Sequence, residues 1–199
     1  MRESPDRSRW YTDRPRFLTR DPLMSDTPWA LFRFCPRCGA AHAETTRPEP
    51  FHCEACGFLF FFNPAVAVAA MVVRDDGRAL FIRRAKDPAR GRLALVGGFV
   101  DPGENAEDAL RREIREEVGL QLTALTFLSS SPNEYHYRGT TYPVVDLIFL
   151  GRTADGARPA ALDDVASFEW LDPTAVDPDT LAFPSMRDGL RRYRAEFLR

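Results

Sequence analysis

The stretch from Gly97 to Leu120 constrains this chain more than any other: paired glycines, a Pro102-Gly103 turn carrying Glu104, then a charged run from Arg112 to Glu117 that stops at Gly119. Pro102-Gly103 closes a turn, Asn105 is a good N-cap with Asp108 three residues on, and Gly119 supplies a left-handed stop, so a helix is predicted between them. Ala106, Leu110, Ile114 and Val118 recur every fourth residue and form one apolar stripe that can bury against a sheet. Glu113, Glu116 and Glu117 fall on the adjoining face. Like charges at i, i+4, such as Glu113 and Glu117, cost a helix roughly 0.2–0.5 kcal/mol, and burying carboxylates side by side costs more. A sequence shaped by stability alone would avoid them. Hard oxygen ligands crowded onto one rigid element suit magnesium, which keeps several waters and takes its other ligands from a few carboxylates and substrate phosphate oxygens. The competing reading is a solvated helix laced with ion pairs, since Glu107 to Arg111 and Asp108 to Arg112 have the favourable acid-first order. That reading gives no reason for Gly97-Gly98, for Glu104 on the turn, or for three acids at one helix end.

The segment 98–120 resembles a complete Nudix box, G-x5-E-x7-R-E-U-x-E-E-x-G-U with U aliphatic, and every fixed position is filled. The resemblance implies an α/β fold: an α/β/α sandwich around a mixed sheet, with the box forming a strand, loop and helix. It implies that Glu113, Glu116 and Glu117 hold Mg2+ or Mn2+, that the Gly97 carbonyl adds a ligand, and that Arg112 and Glu104 orient the carboxylates. The implied reaction is hydrolysis of a nucleoside diphosphate linked to another group. A phosphoanhydride resists attack because its oxygens repel a nucleophile, so a catalyst must neutralise charge and hold a water in line. A glutamate not fully used in coordination can take the water's proton. Spacing leaves Glu113, Glu116 and Glu117 all as candidates for that base, and in this superfamily a more distant acid sometimes serves. The box is commonly preceded by Trp-x-Leu-Pro-Gly-Gly, whereas here Val96 stands where the proline would be and the glycines are intact.

Cys35-Pro-Arg-Cys38-Gly39 and Cys53-Glu-Ala-Cys56-Gly57 are two Cys-x-x-Cys knuckles that use all four cysteines. Each is followed by a glycine that permits a turn around a metal. Tetrahedral, structural Zn2+ is the expected occupant, because four thiolates leave no open position. Two-residue spacing without a secretory segment reads as metal or redox chemistry in a reducing compartment, not as disulfides, and a thioredoxin-like redox motif would need only one such pair. His42 and His52 are spare imidazoles, expected in loops. A ribbon of this size cannot bury enough core to fold alone, so the metal would supply its stability. Ribbons also bind nucleic acid, but a net charge of −2 argues against a nonspecific nucleic-acid surface.

A ribbon ahead of this box, joined to it by an aromatic run and Asn63-Pro64, is similar to the NADH pyrophosphatase branch of Nudix hydrolases and its relatives. That branch usually carries Ser-Gln-Pro-Trp-Pro-Phe-Pro after the box, and residues 129–143 here do not match it. An ADP-ribose-like or dinucleotide substrate is therefore expected. The alternative is an NADH/NAD diphosphatase, including removal of NAD caps from RNA. A second alternative, a non-catalytic nucleotide-sensing or RNA-binding Nudix protein, sits poorly with a box that has lost no carboxylate. Tyr135, His136, Tyr137 and Arg138 are candidate substrate contacts; the competing reading is an alternating strand entering an Arg138-Gly139-Thr140-Thr141 hairpin. In this branch a late loop often gives a fourth metal carboxylate. Asp164 holds that place, with Asp163 and Glu169 as substitutes. The resemblance also suggests a homodimer.

With 199 residues and 44% apolar content there is room for one sizeable core and a small satellite. The expected division is a disordered extension at 1–28, a zinc ribbon at 29–62 and a Nudix domain at 63–199. Strands are predicted at 65–73, 79–84, 92–96, 124–130, 143–150 and 167–171. A last helix is predicted at 186–198, capped by Ser185, with Met186, Leu190, Tyr193 and Phe197 as its apolar stripe. No apolar run approaches the roughly 18 residues a bilayer helix needs, so no membrane partner is expected. Residues 1–28 lack a secretory apolar run, and their acids count against a transit peptide, which leaves a cytoplasmic location. Met24 is an expected alternative start, a reading that mass spectrometry of the native N-terminal peptide tests.

Overall fold

In the computed structural model, residues 26–43, 47, 49–154 and 156–198 are described; Met24 and most of the expected extension lie outside them. The strands are β1 (Phe51–His52), β2 (Leu59–Phe60), β3 (Ala65–Val73), β4 (Ala79–Arg84), β5 (Leu93–Ala94), β6 (Val96–Phe99), β7 (Leu122–Tyr137), β8 (Thr140–Thr153) and β9 (Val165–Leu171). Helix α1 (Ala106–Val118) follows β6, and α2 (Pro184–Phe197) closes the fold.

β3 to β9 form one mixed sheet of order β5-β4-β3-β8-β7, with β6 also paired to β3 and β9 to β4. The β3–β8 pair is parallel and the others antiparallel. β3 is buried from Val68 to Val73 because it has strands on both sides and helix α1 packed against it, which explains its continuous apolar run. Helix α1 packs on β6 and β3, and α2 on β7 and β8, giving the α/β/α sandwich. Leu110, Ile114 and Val118 of α1 and Leu190 of α2 are fully buried, as their spacing predicts.

The expected strand at 92–96 is two strands. β5 pairs with β4 and β6 with β3, and at the break the Leu95 amide turns to the Met186 sulfur at 3.4 Å. The expected strands 124–130 and 143–150 are longer, and they meet at a two-residue turn in which Arg138 (φ 47°) and Gly139 (φ 79°) are both left-handed. That turn matches the twist of a hairpin. Ser185 does not cap α2. The N-cap is Phe183, Pro184 opens the helix, and the buried Ser185 hydroxyl donates to Asp146.

The two cysteine knuckles fold alike. Gly39 N–H donates to Cys35 O at 2.9 Å and Gly57 N–H to Cys53 O at 2.8 Å, with both glycines left-handed. Phe32, Phe51, Phe60 and Phe62 pack ring on ring beside them. Ahead of residue 29, the Asp26 carboxylate accepts from Thr141 Oγ1 at 2.7 Å at the tip of the β7–β8 hairpin.

Candidate active site and zinc site

Helix α1 starts and stops on local chemistry. Asp108 N–H donates to Asn105 Oδ1 at 2.8 Å, Asn105 Nδ2 donates back to Asp108 at 2.7 Å, and Gly119 ends the helix at φ 68°. The surface ion pairs of the competing reading are replaced: Asp108 faces Asn105, Arg111 donates to the Leu122 carbonyl, and Arg112 turns inward.

Arg112 grips Glu104 with two parallel bonds of 2.9 Å. It also reaches Glu113 at 2.7 Å, Glu116 at 3.1 Å and the Phe99 carbonyl at 3.1 Å. A planar guanidinium can make this fork and a lysine cannot. The Arg112 hydrogen bonds hold the Glu104 carboxyl below its ordinary value, and the Glu104 and Glu113 bonds raise that of Arg112. Burial pushes Glu113 up, against the pull of Arg112. Glu117 is 8% exposed, and burial pushes its carboxyl up to about 7 although Gly97 N–H donates to it at 3.2 Å.

The paired glycines have a steric cause. A Cβ on Gly97 would sit 2.0 Å from the Val68 carbonyl oxygen, and one on Gly98 would sit 2.6 Å from the Glu113 carboxyl. Only glycine lets β6 run this close to β3 and lets Glu113 lie across the strand.

These groups line one cavity of about 330 Å³, with Glu113, Glu116, Glu117 and Arg112 on one wall and Asn133, Tyr135, Asp146 and Phe183 on another. The loop bearing Asp163 and Asp164 reaches the cavity because Ala160 N–H and Leu162 N–H donate to the Val118 and Glu117 carbonyls. Asp164 pairs there with Lys86, the only lysine in the sequence. Glu169 lies away, paired with Arg83 at 3.0 Å. Of the candidate substrate contacts, Tyr135 lines the cavity. Tyr137 and Arg138 stack on each other at the hairpin tip outside the lining, and His136 bonds Thr141.

Sequence reasoning missed Asp146, Asn133 and Arg84. Asp146 is 7% exposed, accepts from Asn133 Nδ2 at 2.9 Å and from Ser185, and is pushed up by burial. The signal was present: one acid inside the apolar run Val144-Val145-Asp146-Leu147-Ile148.

Among the described residues, Cys35, Cys38, Cys53 and Cys56 are the group of metal-capable side chains whose ligand atoms all lie within 4.8 Å of one another. Four converging sulfurs fit tetrahedral zinc. His42 packs edge-on against Phe51 and His52 is exposed, so neither belongs to the set. The carboxylates of α1 are spread more widely and are held by Arg112 and Gly97. That arrangement fits a hard cation that retains waters between itself and some ligands.

No helix among the described residues is long and apolar enough to cross a membrane. The sequence is 31% identical over 154 residues to the NAD-capped RNA hydrolase NudC of Pseudomonas fluorescens, covering 75% of this chain and 52% of that protein. It is 35% identical over 117 residues to the ADP-ribose pyrophosphatase of Methanocaldococcus jannaschii, covering 58% of this chain and 66% of that protein. The chain thus spans about half the length of the NudC relative. The crystal structure of a MutT NUDIX hydrolase from Burkholderia pseudomallei superposes with a TM-score of 0.56 at 30% identity, covering 65% of this chain and 98% of that one. A NUDIX hydrolase from Nitrosomonas europaea shares the fold with a TM-score of 0.62 at 21% identity, over 83% of this chain and 92% of its own. The family model for the NUDIX domain matches residues 63–193, and the chain belongs to that family.

Proposed function

We propose that the chain is a magnesium-dependent pyrophosphohydrolase that cleaves the phosphoanhydride of a nucleoside diphosphate linked to another group, with ADP-ribose-like or dinucleotide substrates favoured. The observation that carries this reading is the wall of Glu113, Glu116 and Glu117 braced by Arg112 and Glu104 inside one cavity. Glu113, Glu116 and Glu117, with the Gly97 carbonyl, would hold magnesium or manganese. Bound there, the cation would neutralise phosphate charge and acidify water. The chain's own residues do the rest. Arg112, anchored by Glu104, fixes the Glu113 and Glu116 carboxylates so that little reorganisation is needed during reaction. Arg84, beside the cavity and over the Phe183 ring, offers a cation to the diphosphate. Glu113, Glu116 and Glu117 remain the candidates for the base that takes the water's proton. Asp164 is the candidate fourth carboxylate and would have to leave Lys86 to serve.

The test is incubation with magnesium and a panel of ADP-ribose, NAD, NADH, diadenosine polyphosphates, FAD, coenzyme A, nucleotide sugars and nucleoside triphosphates, with product analysis. Release of a nucleoside monophosphate from ADP-ribose or a dinucleotide is expected, and Glu116→Gln should lower kcat by about 10²–10⁴-fold with the fold intact. Hydrolysis unaffected by that change would reject the reading. The similarity to NudC favours one further substrate, NAD, either free or as the 5′ cap of an RNA, and capped RNA belongs in the panel.

The same reading divides the chain into a zinc ribbon at 29–62 and a catalytic unit at 63–199. It sets the protein in the cytoplasm, where a reducing medium keeps the thiolates available for zinc. A homodimer is part of it, tested by sedimentation equilibrium.

A further inference from the structure

The cavity has a second half that the carboxylate wall does not explain. It is lined by Asp146, on β8 between β3 and β7, and by the rings of Phe99, Tyr135 and Phe183, with centroids 5.2 Å apart for Phe99–Tyr135 and 5.9 Å for Tyr135–Phe183. An ionisable side chain at 7% exposure is costly, and a fold that needed only packing there would carry another valine or leucine. Ser185 and Asn133 both donate to the same oxygen, Oδ2. Among the described residues no group donates to Oδ1, so one acceptor on a rigidly held carboxylate is left over beside aromatic walls.

We propose that Asp146 reads the base of the nucleotide: its Oδ1 accepts a hydrogen bond from an exocyclic amino group, as adenine and cytosine present, while the aromatic walls take the ring faces. This rests on the reading of the cavity as a nucleotide site and names the feature that selects among nucleotides. An amino group donates to the carboxylate, whereas the carbonyl that hypoxanthine or uracil has at the same place sets an acceptor against an acceptor and leaves Oδ1 without a donor. Because Ser185 and Asn133 already occupy Oδ2, the geometry offers one donor position, which matches a single amino N–H. A residue that merely tied β8 to α2 would be indifferent to that distinction.

The test is calorimetric titration of the full chain, with magnesium, against two matched pairs that differ in amino versus carbonyl: AMP against IMP, and CMP against UMP. In at least one pair the amino-bearing nucleotide should bind tenfold or more tightly. Asp146→Asn, whose amide can donate to a carbonyl, should bring that ratio to within about threefold of unity or reverse it. Ser185→Ala, which keeps the acceptor, should weaken binding while preserving the preference. Equal affinity within both pairs, a preference untouched by Asp146→Asn, or no binding of any of the four overturns the proposal. The wild-type pairs decide it even if Asp146→Asn does not fold. Binding is read without turnover, so failure of the Glu116→Gln test would count against hydrolysis and leave this ratio standing.

Discussion

Neighbouring glycines at the site carry different burdens. The Cβ of Gly97→Ala would meet backbone, the Val68 carbonyl oxygen at 2.0 Å, and backbone in a central strand cannot retreat. That variant should lose about 2–4 kcal/mol, seen as a lower thermal midpoint. The Cβ of Gly98→Ala meets only the flexible end of Glu113 at 2.6 Å, so stability should hardly change while kcat falls at least tenfold as that carboxylate is displaced. Glu117 supplies a pH signature. With no cation bound its carboxyl lies near 7 in the fold against 4.5 for the ordinary group, so the folded state binds the extra proton. Below about pH 4.5 the group contributes no difference. Stability then falls as pH rises through the window to about 7, by about 3 kcal/mol in full. Thermal melts in magnesium-free buffer from pH 4 to 8 should show this slope, and Glu117→Gln, neutral throughout, should flatten it. Arg112→Lys keeps the charge but loses the two parallel bonds to Glu104, and should lower kcat at least tenfold with a smaller change in KM.

Among the elements, α1 is legible because its signals are local: the Asn105 cap, the four-residue apolar repeat and Gly119 act within one or two turns. Asn105→Ala should cost about 1 kcal/mol by chemical denaturation. The knuckles are legible for the same reason, since Cys-x-x-Cys-Gly closes on itself. The strands are less so. β5 and β6 separate at Leu95 because their partners differ, and the β7–β8 hairpin exceeds its apolar span because cross-strand pairing continues through Tyr135–Tyr142 to the turn. Ser185 has the composition of a cap yet serves Asp146, a contact spanning 39 positions that no local pattern encodes.

Over the whole molecule, a small cluster around the four cysteines stands beside a sheet with its own large core. Helix-on-sheet packing of Leu110, Ile114, Ile148 and Leu190 does not depend on the cysteines, whereas the ribbon's buried set is confined to Cys35, Cys53, Phe51 and a few rings. Elemental analysis should find one zinc per chain. Stripping it under reducing conditions should abolish hydrogen-exchange protection in 29–62 while protection in β3, β4 and β8 persists.

The sequence by itself determined the helix with its acids, the turn glycines, the cysteine knuckles and the family, because each is a spacing along the chain that backbone geometry converts directly into position. Tertiary structure alone decided that Asp164 and not Glu169 reaches the cavity, and that Tyr135 lines it while Tyr137 and Arg138 do not. It also brought Asp146, Asn133 and Ser185 to one point. For Asn133, Tyr135 and Asp146 the outcome depends on strand register and on which sheet face a side chain takes, and a shift of one residue in β7 or β8 would reverse it.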